Sequence, residues 1–211
     1  MAKVFLEGGG DAKDLKARCR ESFSELLKKL GFSGTRMPRL VACGGRGAVY
    51  DRFKTAHDNK NADDYVAMLI DSEEPLDDVE AAWRHLRSRD GWDKPIGAED
   101  NQVLFMTTCM ETWILCDRAA LRAYFRAKLQ ESALPALIDM EQRNREAVQD
   151  ALVRATRNCS NAYAKGKRSF ELLSRLDPAA LPPTFPASSE RGAYWMIVYN
   201  DFVPTTSLTL L

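Results

Sequence analysis

The sequence has few of the residues on which several common kinds of site depend. Its 211 residues include only two histidines, and its five cysteines form no CxxC pair. Without that ligand spacing we expect no structural zinc site, and the cysteines are predicted to be buried free thiols. The glycine-rich stretches contain neither a Walker lysine nor a complete GxGxxG, so they do not indicate a standard nucleotide-binding loop.

Long apolar runs are also missing. An apolar segment such as Tyr65 to Ile70 is far too short to cross a bilayer. The first ten residues, MAKVFLEGGG, lack the apolar stretch of a signal peptide. We therefore expect a cytoplasmic protein with no membrane partner.

Charge is balanced overall but unevenly distributed along the chain. The formal net charge is zero, so the whole protein lacks the positive field of a general nucleic-acid binder. Residues 61–83 contain eight acids and no lysine or arginine, whereas residues 151–175 contain six bases and one acid. A solvated charged face explains either run alone. Together the two runs suit a metal-assisted phosphate site, in which one region holds cations and the other meets a polyanion.

Alternating apolar and amphipathic segments predict an α/β fold. Four strands are predicted, each followed by a helix, with the strands at 2–7, 39–43, 65–70 and 102–108. The helices are predicted from Asp11 or Asp14 to about Leu30, at about 47–57 and 77–89, and from Met110 or Asp117 to about Lys128. This alternation predicts a mostly parallel sheet of about four strands with helices on both faces.

The last part of the sequence has a different pattern. We divide the chain into an α/β core at 1–130 and a helical extension at 131–211, which is expected to pack on the core. A long charged helix is predicted at about 134–159 and a shorter one at about 167–175. The segment Tyr194–Tyr199 is predicted to form a terminal strand or an interface patch.

The most distinctive acids follow the ends of predicted strands. Glu7 ends the first strand, and Asp71 and Glu73 follow the third. Because the carboxyl ends of parallel strands form one rim, these acids are expected to lie near each other. Neighbouring carboxylates repel each other, and a bound divalent cation relieves this repulsion. Carboxylate oxygens are hard ligands, which favour Mg²⁺ or Mn²⁺. We predict that all three are catalytic and metal-binding, with Glu111 and Asp11 as additional candidate ligands.

Alternatives to the metal site stay open at this stage. An acid at a strand end is often a helix cap or a solvated loop residue, and this interpretation applies to Asp71 and Glu73. Glu111 caps a helix in the alternative interpretation. Glu7 is expected to face a cleft and to carry little packing, because it ends a strand beside a glycine turn.

A second group of residues is predicted to contact phosphate or substrate. Its members follow strands or lie in the basic region: Gly8, Gly9, Arg46, Lys165 and Lys167. The glycines allow a sharp turn and close approach of a ligand. Arg46 precedes a predicted helix whose first N–H groups point outward. The alternatives are a salt bridge from Arg46 to Asp51 or another acid, and a solvated loop for Lys165 and Lys167.

One short pattern resembles a known catalytic fold. A strand followed by Glu-Gly-x-x-Asp-Ala, and later a strand followed by Asp-x-acid, resemble the topoisomerase–primase (Toprim) fold. That fold uses a glutamate after its first strand and an Asp-x-Asp pair after its third for metal and phosphodiester chemistry. Glu7 matches the glutamate and Asp71 the first aspartate. Glu73 stands where the second aspartate usually is, which keeps the charge but lengthens the side chain.

A longer resemblance extends to about Leu181. The segments that carry it are CGGRGAVYDRF, VAMLIDSEEP, WRHLRSRDGW, CMETWILCDRAAL, RATRN and YAKGKRSFELLSRLDP. They are similar to a bacterial family, domain of unknown function 4276, which is regarded as Toprim-like and is similar to proteins found near ATPases in phage-defence and mobile-element neighbourhoods. The segment after Pro186 does not fit the family pattern.

These resemblances imply a metal-dependent phosphodiester-cleaving enzyme, nuclease-like, with nucleic acid and an ATPase as partners. The alternative is a non-catalytic nucleic-acid-binding or regulatory subunit that kept the fold. A phosphotransfer or nucleotide-processing enzyme of the same sheet class is a third alternative. Whether the chain forms a homo-oligomer stays open.

Overall fold

The fold was determined as a computed structural model, which describes residues 1–182 and residues 184 and 185. The strands are β1 Ala2–Glu7, β2 Arg39–Gly44, β3 Tyr65–Asp71 and β4 Val103–Met106. The α-helices are α1 Lys13–Lys29, α2 Arg46–Asp58, α3 Ala82–Asp90, α4 Met110–Cys116, α5 Arg118–Phe125, α6 Arg145–Thr156 and α7 Lys167–Leu173. The predicted strand or patch at Tyr194–Tyr199 lies outside the described residues.

The four strands form one parallel sheet in the order β2-β1-β3-β4. β1 and β3 are neighbours, and their pairing ends with Leu6 opposite Leu69. β3 is apolar until its last residue and is buried along nearly its whole length, as expected for a central parallel strand covered on both faces. The predicted α/β fold, a parallel sheet of four strands flanked by helices, is confirmed.

Alternate strand residues face two apolar cores on opposite sides of the sheet. Leu6 and Leu69 pack in a cluster that includes α1 and the helices from α4 to α7. Phe5 and Met68 pack in a second cluster with α2 and α3. Leu152 of α6 is fully buried in the first cluster. The helices of the extension thus pack on the same face of the sheet as α1.

The predicted long helix at 134–159 is wrong in its extent, because only α6 is α-helical within it. Short 3₁₀ turns occupy part of the chain before α6. The helix begins after Asn144, whose side-chain oxygen accepts a hydrogen bond from the N–H of Glu146 at 2.7 Å. Such a cap satisfies one of the first N–H groups of a helix and fixes where it begins.

Two other predicted helices also have different bounds. The helix predicted at 77–89 begins later, as α3, where the N–H of Trp83 donates to the carboxylate of Asp100 at 2.8 Å. The helix predicted from Met110 or Asp117 to about Lys128 is divided at Asp117 into α4 and α5, and the side chain of Asp117 accepts an N–H of α5 at 2.8 Å. In both cases a carboxylate satisfies a backbone donor at a helix start.

The cysteines of the chain form no disulfide bonds among the described residues. All five cysteines are unpaired, and four of them are buried, while Cys116 is partly exposed. The prediction of buried free thiols is therefore confirmed for four of the five.

Within the part of the chain that the structure describes, no helix is both long enough and apolar enough to cross a membrane.

Candidate metal centre

Three carboxylates converge at the carboxyl edge of the sheet. Glu7, Asp71 and Glu73 each place one carboxylate oxygen within 4.8 Å of the other two. Glu7 ends β1, Asp71 ends β3, and Glu73 follows in the turn after β3. Because β1 and β3 are neighbouring parallel strands, their ends bring these side chains together. The structure thus groups the three acids that the sequence singled out.

Glu7 lines a cleft and also holds the end of β3. Its Oε2 accepts a hydrogen bond from the N–H of Asp71 at 3.1 Å. Burial raises the pKa of Glu7 above its ordinary value, and Arg46, whose Nη1 lies 3.8 Å from Oε2, opposes that rise. Glu7 faces the cleft as expected. The sequence did not indicate its second role, which is to satisfy a backbone N–H of the neighbouring strand.

Asp71 is almost completely buried, with 6% of its surface exposed. Its Oδ1 accepts a hydrogen bond from the N–H of Met110, the first residue of α4, at 3.0 Å. Burial, followed by the negative charges of Glu7 and Glu111, raises the pKa of Asp71 to about 8. At neutral pH a metal ion would therefore have to compete with a proton for this side chain.

Glu73 is positioned by an uncommon backbone conformation. Its φ is 70°, in the left-handed region that few residues other than glycine adopt. The N–H of Glu73 donates to the carbonyl of Thr108 at 2.8 Å, and the N–H of Ser72 donates to the carbonyl of Met106 at 3.0 Å. These bonds hold the turn after β3 against the end of β4, so Glu73 stays beside Asp71.

Arginine side chains neutralise the carboxylates within the protein. Arg145, the first residue of α6, contacts Glu73 through Nη1, and its Nη2 lies 3.7 Å from Asp71 Oδ2. Arg89 Nη2 lies 3.7 Å from Glu73 Oε2. From the sequence we expected a metal ion to relieve the repulsion among these acids. In the structure guanidinium groups offset part of it, while the charges of Glu7 and Glu111 still raise the pKa of Asp71.

Arg46 is fixed within the protein by several partners. Its Nη2 and Nε donate to the two carboxylate oxygens of Asp90 at 2.7 and 3.1 Å. It also donates to the carbonyl of Asp71, and its guanidinium lies 5.1 Å from the ring centre of Trp92. Of the two open interpretations, the salt bridge is the one observed, with Asp90 in place of Asp51. Three of its five N–H donors are therefore used within the protein.

A cleft of about 280 Å³ opens beside the carboxylates. Its walls include the glycine turns after β1 and β2 and the segment that leads into α7. Lys165 lies in that segment, is exposed, and has no hydrogen-bond or ion-pair partner among the residues that the structure describes. Lys167, by contrast, lies 3.8 Å from Glu171 and lines a separate groove. Only Lys165 of the two predicted lysines therefore lines the cleft beside the carboxylates.

Glu111 and Asp11, the additional candidate ligands, lie outside the group of three. Glu111 lines the same cleft and is 1% exposed. Its two carboxylate oxygens accept hydrogen bonds from the hydroxyl of Tyr163 at 2.5 Å and from the amide of Gln149 at 3.3 Å. Asp11 is exposed. Glu111 therefore acts on the site through its charge, which contributes to the raised pKa of Asp71.

The glycine turns bring the ends of β1 and β2 into direct contact. The N–H of Gly8 donates to the carbonyl of Gly44 at 2.9 Å, and the N–H of Gly44 donates back at 3.1 Å. A Cβ at Gly44 would lie 2.5 Å from the carbonyl oxygen of Gly10, and one at Gly9 would lie 2.8 Å from the backbone of Lys16. Close backbone packing is sufficient to require glycine at Gly9 and Gly44.

Two of the arginines that contact the carboxylates, Arg145 and Arg89, were not identified from the sequence. Arg145 lies in the extension, far along the chain from Asp71, and Arg89 lies in α3. The one local signal for Arg145 is its place directly after Asn144, a good N-cap residue. That signal indicates the start of a helix and carries no information about which side chains the helix meets.

The fold and the site together define an α/β protein with a carboxylate cluster at the carboxyl edge of a parallel sheet. The model of the family described as a domain of unknown function, DUF4276, matches residues 6–187. The chain belongs to this family, as the resemblance of its longer segments implied. No curated protein and no solved structure matches the chain significantly.

Proposed function

We propose that this chain is a metal-dependent, nuclease-like enzyme that cleaves phosphodiesters, with Mg²⁺ or Mn²⁺ held by Glu7, Asp71 and Glu73. The observation that carries the proposal is the convergence of one oxygen from each side chain within 4.8 Å. The donor set fits these ions, because hard oxygen ligands suit Mg²⁺ and Mn²⁺, and Mg²⁺ sites often combine a few carboxylates with water and substrate phosphate. The Toprim-like assignment is part of this proposal, supported by the order of the acids along the sheet.

The protein's own groups prepare the site for a phosphate substrate. A bound Mg²⁺ or Mn²⁺ would polarise a phosphate and lower the pKa of its bound water. Asp71 is held by the N–H of Met110, and Glu7 by the N–H of Asp71, so both carboxylates are oriented before any ligand binds. Lys165, exposed and unpaired at the same cleft, is suited to attract the negative phosphate oxygens.

The biological setting of the proposal rests on the family resemblance. It comprises a cytoplasmic bacterial protein in a phage-defence or mobile-element system, with nucleic acid as substrate and an ATPase as partner. Because the proposed chemistry does not depend on this setting, the two are tested separately.

A cleavage assay tests the proposed activity. Labelled single-stranded and double-stranded DNA and RNA are incubated with Mg²⁺, Mn²⁺ or EDTA. The wild type is expected to cleave at least one polymer with metal and none with EDTA. Asp71→Asn, which keeps the size of the side chain, is expected to lower the rate about a hundredfold or more. Asp51→Asn, at an exposed position, is the matched control and is expected to cleave like the wild type.

The absence of cleavage of every polymer with either metal, even when an ATPase encoded beside this protein is added, would overturn the proposed activity. Cleavage that persists unchanged in Asp71→Asn would mean that another site, or a contaminant, carries it. Activity in EDTA would also contradict the proposal, because the metal would then be unnecessary.

A non-catalytic nucleic-acid-binding or regulatory subunit is the second candidate function. It is favoured by one observation: Arg145 and Arg89 form ion pairs with Glu73, and Arg145 also lies near Asp71, so the protein itself supplies positive charge to the cluster. This candidate predicts binding of an oligonucleotide in EDTA without cleavage. Lys165→Gln should weaken that binding and Lys167→Gln should not, because only Lys165 lines the cleft beside the carboxylates. Equal effects of both substitutions would argue against recognition at this cleft.

A further inference from the structure

We propose that Arg145 is an internal counter-ion of the carboxylate site, which a divalent metal ion must displace in order to bind. The inference rests on the proposed metal centre. It adds that Arg145 lowers the affinity of this centre for a divalent metal ion. It assigns a role to a residue of the helical extension, which the sequence patterns did not connect with the site.

The position of the Arg145 guanidinium carries this proposal. Its Nη1 contacts Glu73 Oε2, and its Nη2 lies 3.7 Å from Asp71 Oδ2. One cationic group thus spans two of the three side chains that could share a metal ion. A carboxylate oxygen that faces a guanidinium group is not open to a metal ion, so the two cations compete for the same carboxylates.

A comparison with Arg46 indicates that Arg145 is the exchangeable cation. Arg46 is held by Asp90, by a backbone carbonyl and by the ring of Trp92. The ion pairs of Arg145 among the described residues are the two carboxylates of the site, and its side chain is 23% exposed compared with 12% for Arg46. Arg145 can therefore leave the carboxylates without breaking another ion pair among the described residues.

The direction of the effect separates this role from a purely structural one. If Arg145 only supported the site, its removal would disturb the carboxylates and weaken metal binding. If it competes with the metal, its removal leaves Asp71 without this guanidinium and Glu73 with Arg89 alone, and it strengthens metal binding. The attraction between opposite charges at a partly buried site is strong enough that the affinity should change by about tenfold or more.

Titration with Mn²⁺, followed by the electron-spin resonance signal of the free ion at pH 7.5, tests the proposal. Arg145→Gln is expected to bind Mn²⁺ about tenfold or more tightly than the wild type. Arg145→Lys, which keeps the charge but loses the planar fork, is expected to fall between them. Arg154→Gln changes the same charge at an exposed position on the same helix and is expected to bind like the wild type.

If Arg145→Gln has a normal circular dichroism spectrum and binds Mn²⁺ no more tightly than the wild type, the counter-ion role is overturned. The proposed metal centre would not be affected by that result. If Arg145→Gln does not fold, Arg145→Lys decides the question, since it must still bind Mn²⁺ more tightly than the wild type. No Mn²⁺ binding to the wild type or to either variant would remove the metal centre, and this inference with it.

Discussion

At the scale of single residues, Asp71 is a carboxylate whose ionisation is unfavourable in the folded protein. Its pKa is raised to about 8 in the folded protein, whereas an aspartate in an unfolded chain has a pKa of about 3.9. Between these pH values the folded chain keeps a proton that the unfolded chain releases. Asp71 therefore contributes its full stability below about pH 4, and the contribution is lost as the pH rises towards 8.

Asp71→Asn should consequently change how stability depends on pH. The asparagine resembles the protonated aspartic acid at every pH, so the free energy of unfolding of the variant, relative to wild type, is expected to increase from pH 5 to pH 8 in EDTA. Urea denaturation at the two pH values measures this difference. Asp51→Asn, at an exposed site, should show no such trend. A relative stability of Asp71→Asn that stays flat or falls would contradict the raised pKa.

Glu7 combines a site charge with a structural hydrogen bond, and two substitutions separate them. Glu7→Ala and Glu7→Gln both remove the charge, but only glutamine keeps an oxygen that can accept the N–H of Asp71. Glu7→Ala is therefore expected to be less stable than Glu7→Gln by about 1–3 kcal/mol, the cost of a buried donor without a partner. Urea denaturation in EDTA measures the difference. Equal stability of the two variants would show that this hydrogen bond contributes nothing.

At the scale of structural elements, the turns after β1 and β2 depend on adjacent glycines in different ways. Gly44 has φ of 92°, and a Cβ there would lie 2.5 Å from the carbonyl oxygen of Gly10. Gly45 has φ of −79° and open space around the position of a Cβ. The backbone conformation alone makes a side chain at Gly44 unfavourable by about 1–2 kcal/mol.

Gly44→Ala is thus expected to lower the free energy of unfolding by about 2 kcal/mol or more, because a backbone clash adds to the unfavourable conformation. Gly45→Ala, the neighbouring control, should cost less than about 1 kcal/mol, the typical effect of losing a favoured N-cap residue. Thermal or urea denaturation compares the two. A Gly44→Ala protein as stable as Gly45→Ala would mean that the turn can rearrange around a side chain.

The elements differ in how well the sequence predicts them. β3 was predictable because its residues form a continuous apolar run, which a central parallel strand requires. The start of α3 was not, because the acceptor for Trp83 is the carboxylate of Asp100, which follows the helix in sequence. The start of α6 after Asn144 was also not predicted. Charged residues occur both in the helix and in the turns before it, so the charge pattern does not show where the helix begins.

At the scale of the whole molecule, the candidate site is assembled from both parts of the chain. Glu7 and Asp71 lie at the ends of neighbouring strands, so fold class and strand ends were sufficient to predict that they meet. Arg145 reaches the same carboxylates from α6, and this contact depends on how the extension packs over the α1 face. Tertiary packing of that kind is not encoded in any local pattern, so its electrostatic consequence could not be predicted.

The sequence-based account also treated Arg46, Lys165 and Lys167 as equivalent phosphate contacts. The structure separates them by their partners: Arg46 is paired with Asp90, Lys167 lies beside Glu171, and Lys165 lines the cleft beside the carboxylates. Residue type and position after a strand are therefore weak guides to a phosphate site. Whether a cation is already paired decides how readily it can bind a ligand, and only the folded structure contains that information.

The location of Mn²⁺ in crystals of the wild-type protein tests the central claim most directly. Crystals soaked in MnCl₂, with and without thymidine 5′-monophosphate, are measured at a wavelength where manganese scatters anomalously. We expect an anomalous peak bonded to oxygen atoms of Glu7, Asp71 and Glu73, with the guanidinium of Arg145 moved away from Asp71 and Glu73. No peak at these carboxylates under saturating Mn²⁺ in either soak, with Arg145 still in contact with Glu73, would contradict the account.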